Sequence, residues 1–180
     1  MKIVLIGVQG AGKSTQGKLL SEKLGVPYLS SGHIFRQMAK RRSPLGRWLK
    51  ETLNAGILVP DDKTIEIVTE YLKRPEYRNG FIIDGFPRTL KQVEAFTDGT
   101  EKALLIEVSD KEALWRISGR VEDREDETLK AIRKRIKSFH ELTKDVLDYY
   151  ESRDMLVKVD GEQGVEKVFQ EAVKKLGINS

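Results

Sequence analysis

The chain has 180 residues, 33% of them charged, with a net charge of +4 and no cysteine. That length suits one globular domain with a real core, and the lack of cysteine excludes disulfides and thiolate metal sites, in keeping with an expected cytoplasmic location. No apolar run approaches the roughly 18 residues that cross a bilayer, and the positive excess is too mild to mark a nucleic-acid binder, so neither membrane nor nucleic acid is expected as a partner.

The first element is KIVLIG (2–7), a continuous apolar run closed by glycine, as in a strand buried on both faces. No small-residue cleavage site follows it, so it reads as a strand rather than an export signal. A helix is expected over 13–24 and a short strand at PYLS (27–30). Helices follow over 31–41 and 45–55, the second opened by Ser43-Pro44, and over 62–73, opened by Pro60-Asp61. FIIDG (81–85) and ALLIEVS (103–109) are further buried strands, trailed by helices over 89–97 and 110–119. The segment 125–151 reads as one long helix with Glu125, Asp126 and Glu127 in its first turn. MLVKVDG (155–161), more alternating, is the last strand, and 164–176 the last helix. Strands alternating with helices predict an α/β fold over 1–180, a doubly wound parallel five-stranded sheet with helices on both faces. Residues 30–60 hold two helices and no strong strand, and are expected to stand off the sheet as a small lobe.

Between the first strand and the first helix, Gly7-Val8-Gln9-Gly10-Ala11-Gly12-Lys13-Ser14 matches the phosphate-loop pattern G-x-x-x-x-G-K-[ST] in full. Glycines let backbone N–H groups turn inward around phosphates, and the helix N-terminus adds partial positive charge. Lys13 then reaches the β- and γ-phosphates, while Ser14 or Thr15 faces Mg²⁺ or a phosphate oxygen. A nucleoside triphosphate is the expected ligand, though many unrelated activities share this loop. A second signal is Asp84-Gly85-Phe86-Pro87-Arg88-Thr89 followed by Gln92. Asp84 is placed to hold Mg²⁺ through a water and Arg88 to grip a phosphate with its planar fork, although a strand-end turn with a solvated arginine looks the same by itself. Arg116, Arg120 and Arg124 are spaced four apart, as on the face of a solvated helix, but Gly119 interrupts that stripe. His33 and His140 are the only histidines, and neither has the companions of a catalytic constellation.

Taken together, these motifs resemble the adenylate kinase family of nucleoside monophosphate kinases. GVQGAGKSTQ is similar to the family's ATP loop, and DGFPRTLKQ to its monophosphate motif. YLSSGHIFR, GILVPDD and the arginines at 120, 124 and 135 match further motifs in family order. The resemblance implies reversible, Mg²⁺-dependent transfer of a phosphoryl group from ATP to AMP, giving two ADP. It assigns Gly10, Ala11, Gly12, Lys13, Ser14 and Thr15 to the triphosphate. Arg36 and Arg88 hold the AMP phosphate, and Gln92 reads the adenine edge with Ser31 nearby. Backbone around Ile57, Leu58, Val59 and Gly85 lines the same pocket, which makes 30–60 the AMP-binding lobe. Arg116 packs on the ATP base, and Gly161 and Gln163 contact that base from a late loop. Arg120, Arg124 and Arg135 surround the transferred group, with Asp126 fixing one of them. Lys13, Arg88, Arg120, Arg124 and Arg135 are thus the implied catalytic set.

Several positions depart from the family pattern. Gln9 stands for proline, Ser14 for glycine, Ser31 for threonine and His33 for aspartate. Only Val121, Glu122 and Asp123 separate Arg120 from Arg124, where the family usually carries a lid, so 120–124 reads as a vestigial lid in a short form. That trimming leads to an expectation of relaxed triphosphate base specificity, with the chain a monomer or a small homo-oligomer. A UMP/CMP kinase is the nearest alternative, and Gln92 favours AMP over it. A nucleotide-dependent binding switch is the other, and it needs no joint set of Arg36, Arg88 and Arg135.

Overall fold

A computed structural model describes residues 1–96, 99–119 and 128–178. Five strands form one parallel sheet: β1 (Lys2–Ile6), β2 (Tyr28–Ser30), β3 (Phe81–Asp84), β4 (Lys102–Glu107) and β5 (Leu156–Asp160), in the order β2-β3-β1-β4-β5. The apolar runs lie where the sheet demands them. β1 sits at the centre, and Val4 and Ile6 face one core while Ile3 and Leu5 face the other, the period-two alternation of a strand covered on both sides. β5, at an edge, keeps only Val159 fully buried.

Helices α1 (Lys13–Leu24), α6 (Asp110–Ser118) and α8 (Val165–Lys175) cover the second face through Leu20, Ala113, Ile117, Val168 and Ala172. The first face is covered by α2 (Ser31–Ala39), α3 (Pro44–Asn54), α4 (Asp61–Leu72) and α5 (Leu90–Ala95), with a 3₁₀ turn at Pro75–Tyr77. α2 and α3 pack on each other as a hairpin. Proline opens α3 at its first position with Ser43 as cap, whose hydroxyl accepts from Gly46 N at 3.0 Å.

The long helix α7 (Leu129–Glu151) starts later than its acidic prefix suggests. Thr128 is its cap, accepting from Ala131 N at 3.2 Å, so its side-chain oxygen satisfies one of the orphan N–H groups of the first turn. Glu125, Asp126 and Glu127 lie outside the described residues. At 23 residues α7 spans about 34 Å, placing Ile132 and Ile136 in one core and Val146 and Tyr150 in the other. It therefore bridges the two faces at the end of the sheet. α6 stops at Ser118 beside Gly119, whose φ of −86° any residue adopts, so the arginine stripe is interrupted there without glycine being required. Among the described residues, no helix is long and apolar enough to cross a membrane.

Candidate active site

In this strand order, the chain leaves the C-terminal ends of the neighbours β1 and β3 in opposite directions, which opens a crevice where ligands bind in such sheets. The register brings Leu5 of β1 opposite Asp84 of β3, so the phosphate loop and the Asp84 turn emerge side by side. A cavity of about 190 Å³ lies there, and its walls include Gly10, Gly12, Lys13, Ser14, Arg36, Asp84, Gly85, Arg88, Gln92 and Arg135.

The loop folds as its glycines dictate. Gly10 and Gly12 have φ of 95° and 91°, values that L side chains rarely adopt, and Gly10 also lies close against the Ala113 carbonyl. Lys13 Nζ donates to Gly7 O at 2.7 Å and to Val8 O at 2.9 Å, which holds the ammonium over the mouth of the loop. Ala11 is buried behind it, and of Ser14 and Thr15 only Ser14 lines the cavity.

On the opposite wall, Ile57, Leu58 and Val59 follow α3, and Arg36 projects from α2. Ser31 is buried behind this wall, with its hydroxyl close to Gly85. Arg88 Nε donates to Gly85 O at 2.8 Å. Burial pushes its guanidinium below the ordinary value; Asp84 opposes that shift, and the like charges of Arg135 and Arg36 add to it. Arginine remains protonated under such pressure, so three cations converge on one space, an arrangement that suits an anion carrying several oxygens. Their surroundings reinforce the field: within 31–60 the only acid is Glu51, against Arg36, Lys40, Arg41, Arg42, Arg47 and Lys50.

Arg135 reaches the cavity because α7 crosses the end of the sheet. Its Nη2 donates to Leu53 O at 2.9 Å and its Nη1 to Gln9 Oε1 at 3.4 Å, so it touches both the α3 terminus and the phosphate loop. Gln92 stands at the third position of α5, where Thr89 caps the helix through the Gln92 N–H at 3.2 Å. Asp84 has one oxygen held and one open. Tyr28 donates its hydroxyl to Oδ2 at 3.0 Å, while Oδ1 is buried with no hydrogen-bond partner. Burial and the Asp84 carboxylate push the Tyr28 phenol far above its ordinary value, so it stays a donor.

The residues assigned to the ATP base form a separate cluster. Arg116 Nη2 donates to Gly161 O at 2.9 Å, and its Nε pairs with Glu112 Oε1 at 2.7 Å. Gln163 Nε2 donates to Glu171 Oε2 at 2.8 Å and to Asp160 O at 3.3 Å. His33 lines a neighbouring groove of about 990 Å³ with Lys18, Lys40 and Lys50, rather than the cavity itself. Arg120, Arg124 and Asp126 lie outside the described residues. Three pairings at the site have no signature in the sequence: Tyr28 with Asp84, Asp61 with Gln92, and Gln9 with Arg135. Each pair is far apart in the chain, and nothing local signals it.

The family model described as adenylate kinase matches residues 5–155. The chain belongs to the adenylate kinase family. A protein named adenylate kinase from Caldicellulosiruptor bescii is 34% identical over 214 residues, covering 99% of this chain and 100% of the relative. Another, from Clostridium novyi, is 35% identical over 206 residues, covering 94% and 95%. The Caldicellulosiruptor alignment is longer than this chain, so that adenylate kinase carries positions with no counterpart here. The phosphotransferase family also accounts for the order of the motifs: phosphate loop, α2–α3 hairpin, Asp84 turn and α7 arginine share one cavity.

Proposed function

We propose that the chain transfers a phosphoryl group reversibly from ATP to AMP, giving two ADP, with Mg²⁺ bound to the nucleotide. The observation that carries this reading is the convergence of Lys13, Arg36, Arg88 and Arg135 on the cavity between the phosphate loop and the α2–α3 hairpin. Phosphoryl transfer spreads charge over equatorial oxygens, so positioning and cations supply most of the catalysis. Lys13 holds the triphosphate, Arg36 and Arg88 hold the AMP phosphate, and Arg135 lies between them. Arg120 and Arg124 complete the clamp around the transferred group. The nucleophile is an AMP phosphate oxygen, already ionised at neutral pH, so no general base is needed.

Among the described residues no three carboxylates or histidines form a metal cage. Mg²⁺ takes one or two carboxylates and fills its sphere with phosphate oxygens and water. The open, buried Oδ1 of Asp84 fits a ligand water of such an ion, and Ser14 or Thr15 fits the phosphate side. Held there by Asp84 through water and by Ser14 or Thr15, the ion would supply positive charge against the nucleotide phosphates.

The lobe at 30–60 closes over AMP, and the trimmed segment at 120–124 takes the place of a lid. Water is then excluded by movement of the arginine-bearing helices. Relaxed triphosphate specificity is supported by Gln163 and Gly161, whose polar groups are engaged within the protein. A cytoplasmic location and a monomeric or small homo-oligomeric state belong to the same proposal. Four triphosphates assayed against four monophosphates for diphosphate formation test it. AMP as the strict acceptor with several donors accepted is the expected outcome, and absence of ADP from ATP plus AMP refutes the reading. ATP hydrolysis without AMP at a rate comparable to transfer refutes the water-exclusion component.

A further inference from the structure

We propose that Asp61 is a positioning residue that fixes which way round the Gln92 amide faces, and so makes the cavity select a 6-aminopurine monophosphate over a 6-oxopurine one. The inference rests on reading the cavity as the AMP site.

The two ends of a glutamine amide have nearly the same shape and opposite chemistry. Left free, such an amide turns to suit either partner. Gln92 is only 2% exposed and lines the cavity, so both ends must be satisfied where they stand. Its Oε1 accepts from the Arg88 backbone N–H at 2.8 Å. Its Nε2 donates to Asp61 Oδ1 at 2.8 Å. Neither partner can exchange roles: a carboxylate only accepts, and a backbone N–H only donates. Turning the amide over would set NH₂ against N–H and C=O against a carboxylate, so one orientation holds.

Asp61 does not line the cavity; Gln92 does. Asp61 sits in the first turn of α4, where the helix field favours a carboxylate, and α4 packs against α5. It therefore acts through Gln92 and not on the ligand. Once both bonds are made, Gln92 retains one N–H and one acceptor site. The Watson–Crick edge of a 6-aminopurine presents an N6–H donor beside the N1 acceptor and pairs with that remainder. The edge of a 6-oxopurine presents O6 as acceptor beside N1–H as donor, the reverse order. Only a turned amide accepts it.

The test compares AMP with IMP as acceptors for ATP, in the wild-type protein, Asp61→Asn and Asp61→Ser. Both replacements keep a polar residue suited to a helix start and can donate as well as accept, which releases the amide. The expected result is a KM for AMP raised about tenfold with kcat retained, and an AMP-to-IMP ratio of kcat/KM lowered about tenfold or more. A variant that lowers activity toward AMP and IMP in the same proportion overturns the inference, because Asp61 then only supports the fold. Thermal melting of both variants identifies a folding defect, and the ratio in whichever variant folds decides the question. A wild-type protein that takes AMP and IMP alike overturns the reading of the cavity and this inference with it. A wild-type preference for AMP that survives both replacements overturns this inference alone.

Discussion

Replacing Tyr28 with Phe removes one hydroxyl and isolates a carboxylate. The ring keeps its place, because it packs closely against Gly17 of α1, where even a Cβ would collide with it. What is lost is the 3.0 Å bond to Asp84 Oδ2, on a carboxylate whose Oδ1 already has no partner. Hydrogen bonds to charged groups contribute about 1.5–3 kcal/mol, and the half-buried setting of Tyr28 places this one near the lower end, about 1.5 kcal/mol. For a chain of this size that corresponds to a fall in Tm of about 3–6 °C. The larger consequence is functional. The hydroxyl orients the carboxylate that faces the proposed metal water, and loss of such an outer partner weakens metal affinity about tenfold to a hundredfold. ADP formation titrated with Mg²⁺ reads this directly, with the half-saturating concentration moving upward and the rate at saturating Mg²⁺ largely recovered. A variant with the lower Tm but a superimposable Mg²⁺ titration would refute the reasoning, since the hydroxyl would then serve the fold and not the site.

Gly10→Ala puts a side chain at φ 95° and within 2.6 Å of the Ala113 carbonyl oxygen, a combined cost of about 3 kcal/mol, whereas Gly119→Ala, at φ −86° and with the Trp115 carbonyl no nearer than 3.8 Å, stays within about 0.5 kcal/mol; urea denaturation of the pair checks the contrast. Burial pushes the phenols of Tyr28 and Tyr150 far above their ordinary value, so both stay protonated in the folded protein while the unfolded chain ionises near pH 10. Folding stability is therefore whole below about pH 10 and declines above it by about 1.4 kcal/mol per pH unit for each tyrosine; denaturation between pH 8 and 11 shows this, and the slope flattens in Tyr28→Phe and Tyr150→Phe. Arg124→Ala lowers kcat about a hundredfold or more with little change in Tm, and equal losses in both would return it to a solvated helix face.

How much of this was legible in the chain depends on the range of the interactions. KIVLIG, FIIDG and ALLIEVS announce buried strands because a strand covered on both faces must be apolar throughout. The phosphate loop is legible for a related reason: glycines at fixed offsets before Lys13 meet a backbone requirement that few other residues satisfy. Arg88 reads as a candidate phosphate ligand only alongside the rest of the motif, since alone it matches any solvated turn. The expected start of α7 at 125 differs from the observed one at Leu129 because acids mark a favourable field over several residues, while the cap at Thr128 is a single hydrogen bond.

By itself, then, the sequence determined the alternation of strands and helices, the triphosphate loop and the family motifs, all set by backbone geometry and burial within short windows. Only the tertiary structure decided which groups meet across the sheet. Tyr28 donates to Asp84, Gln92 donates to Asp61, and Arg135 joins Gln9 to the end of α3. Those pairings follow from strand order, register and the path of α7, quantities that packing of the whole chain sets and that no local pattern encodes.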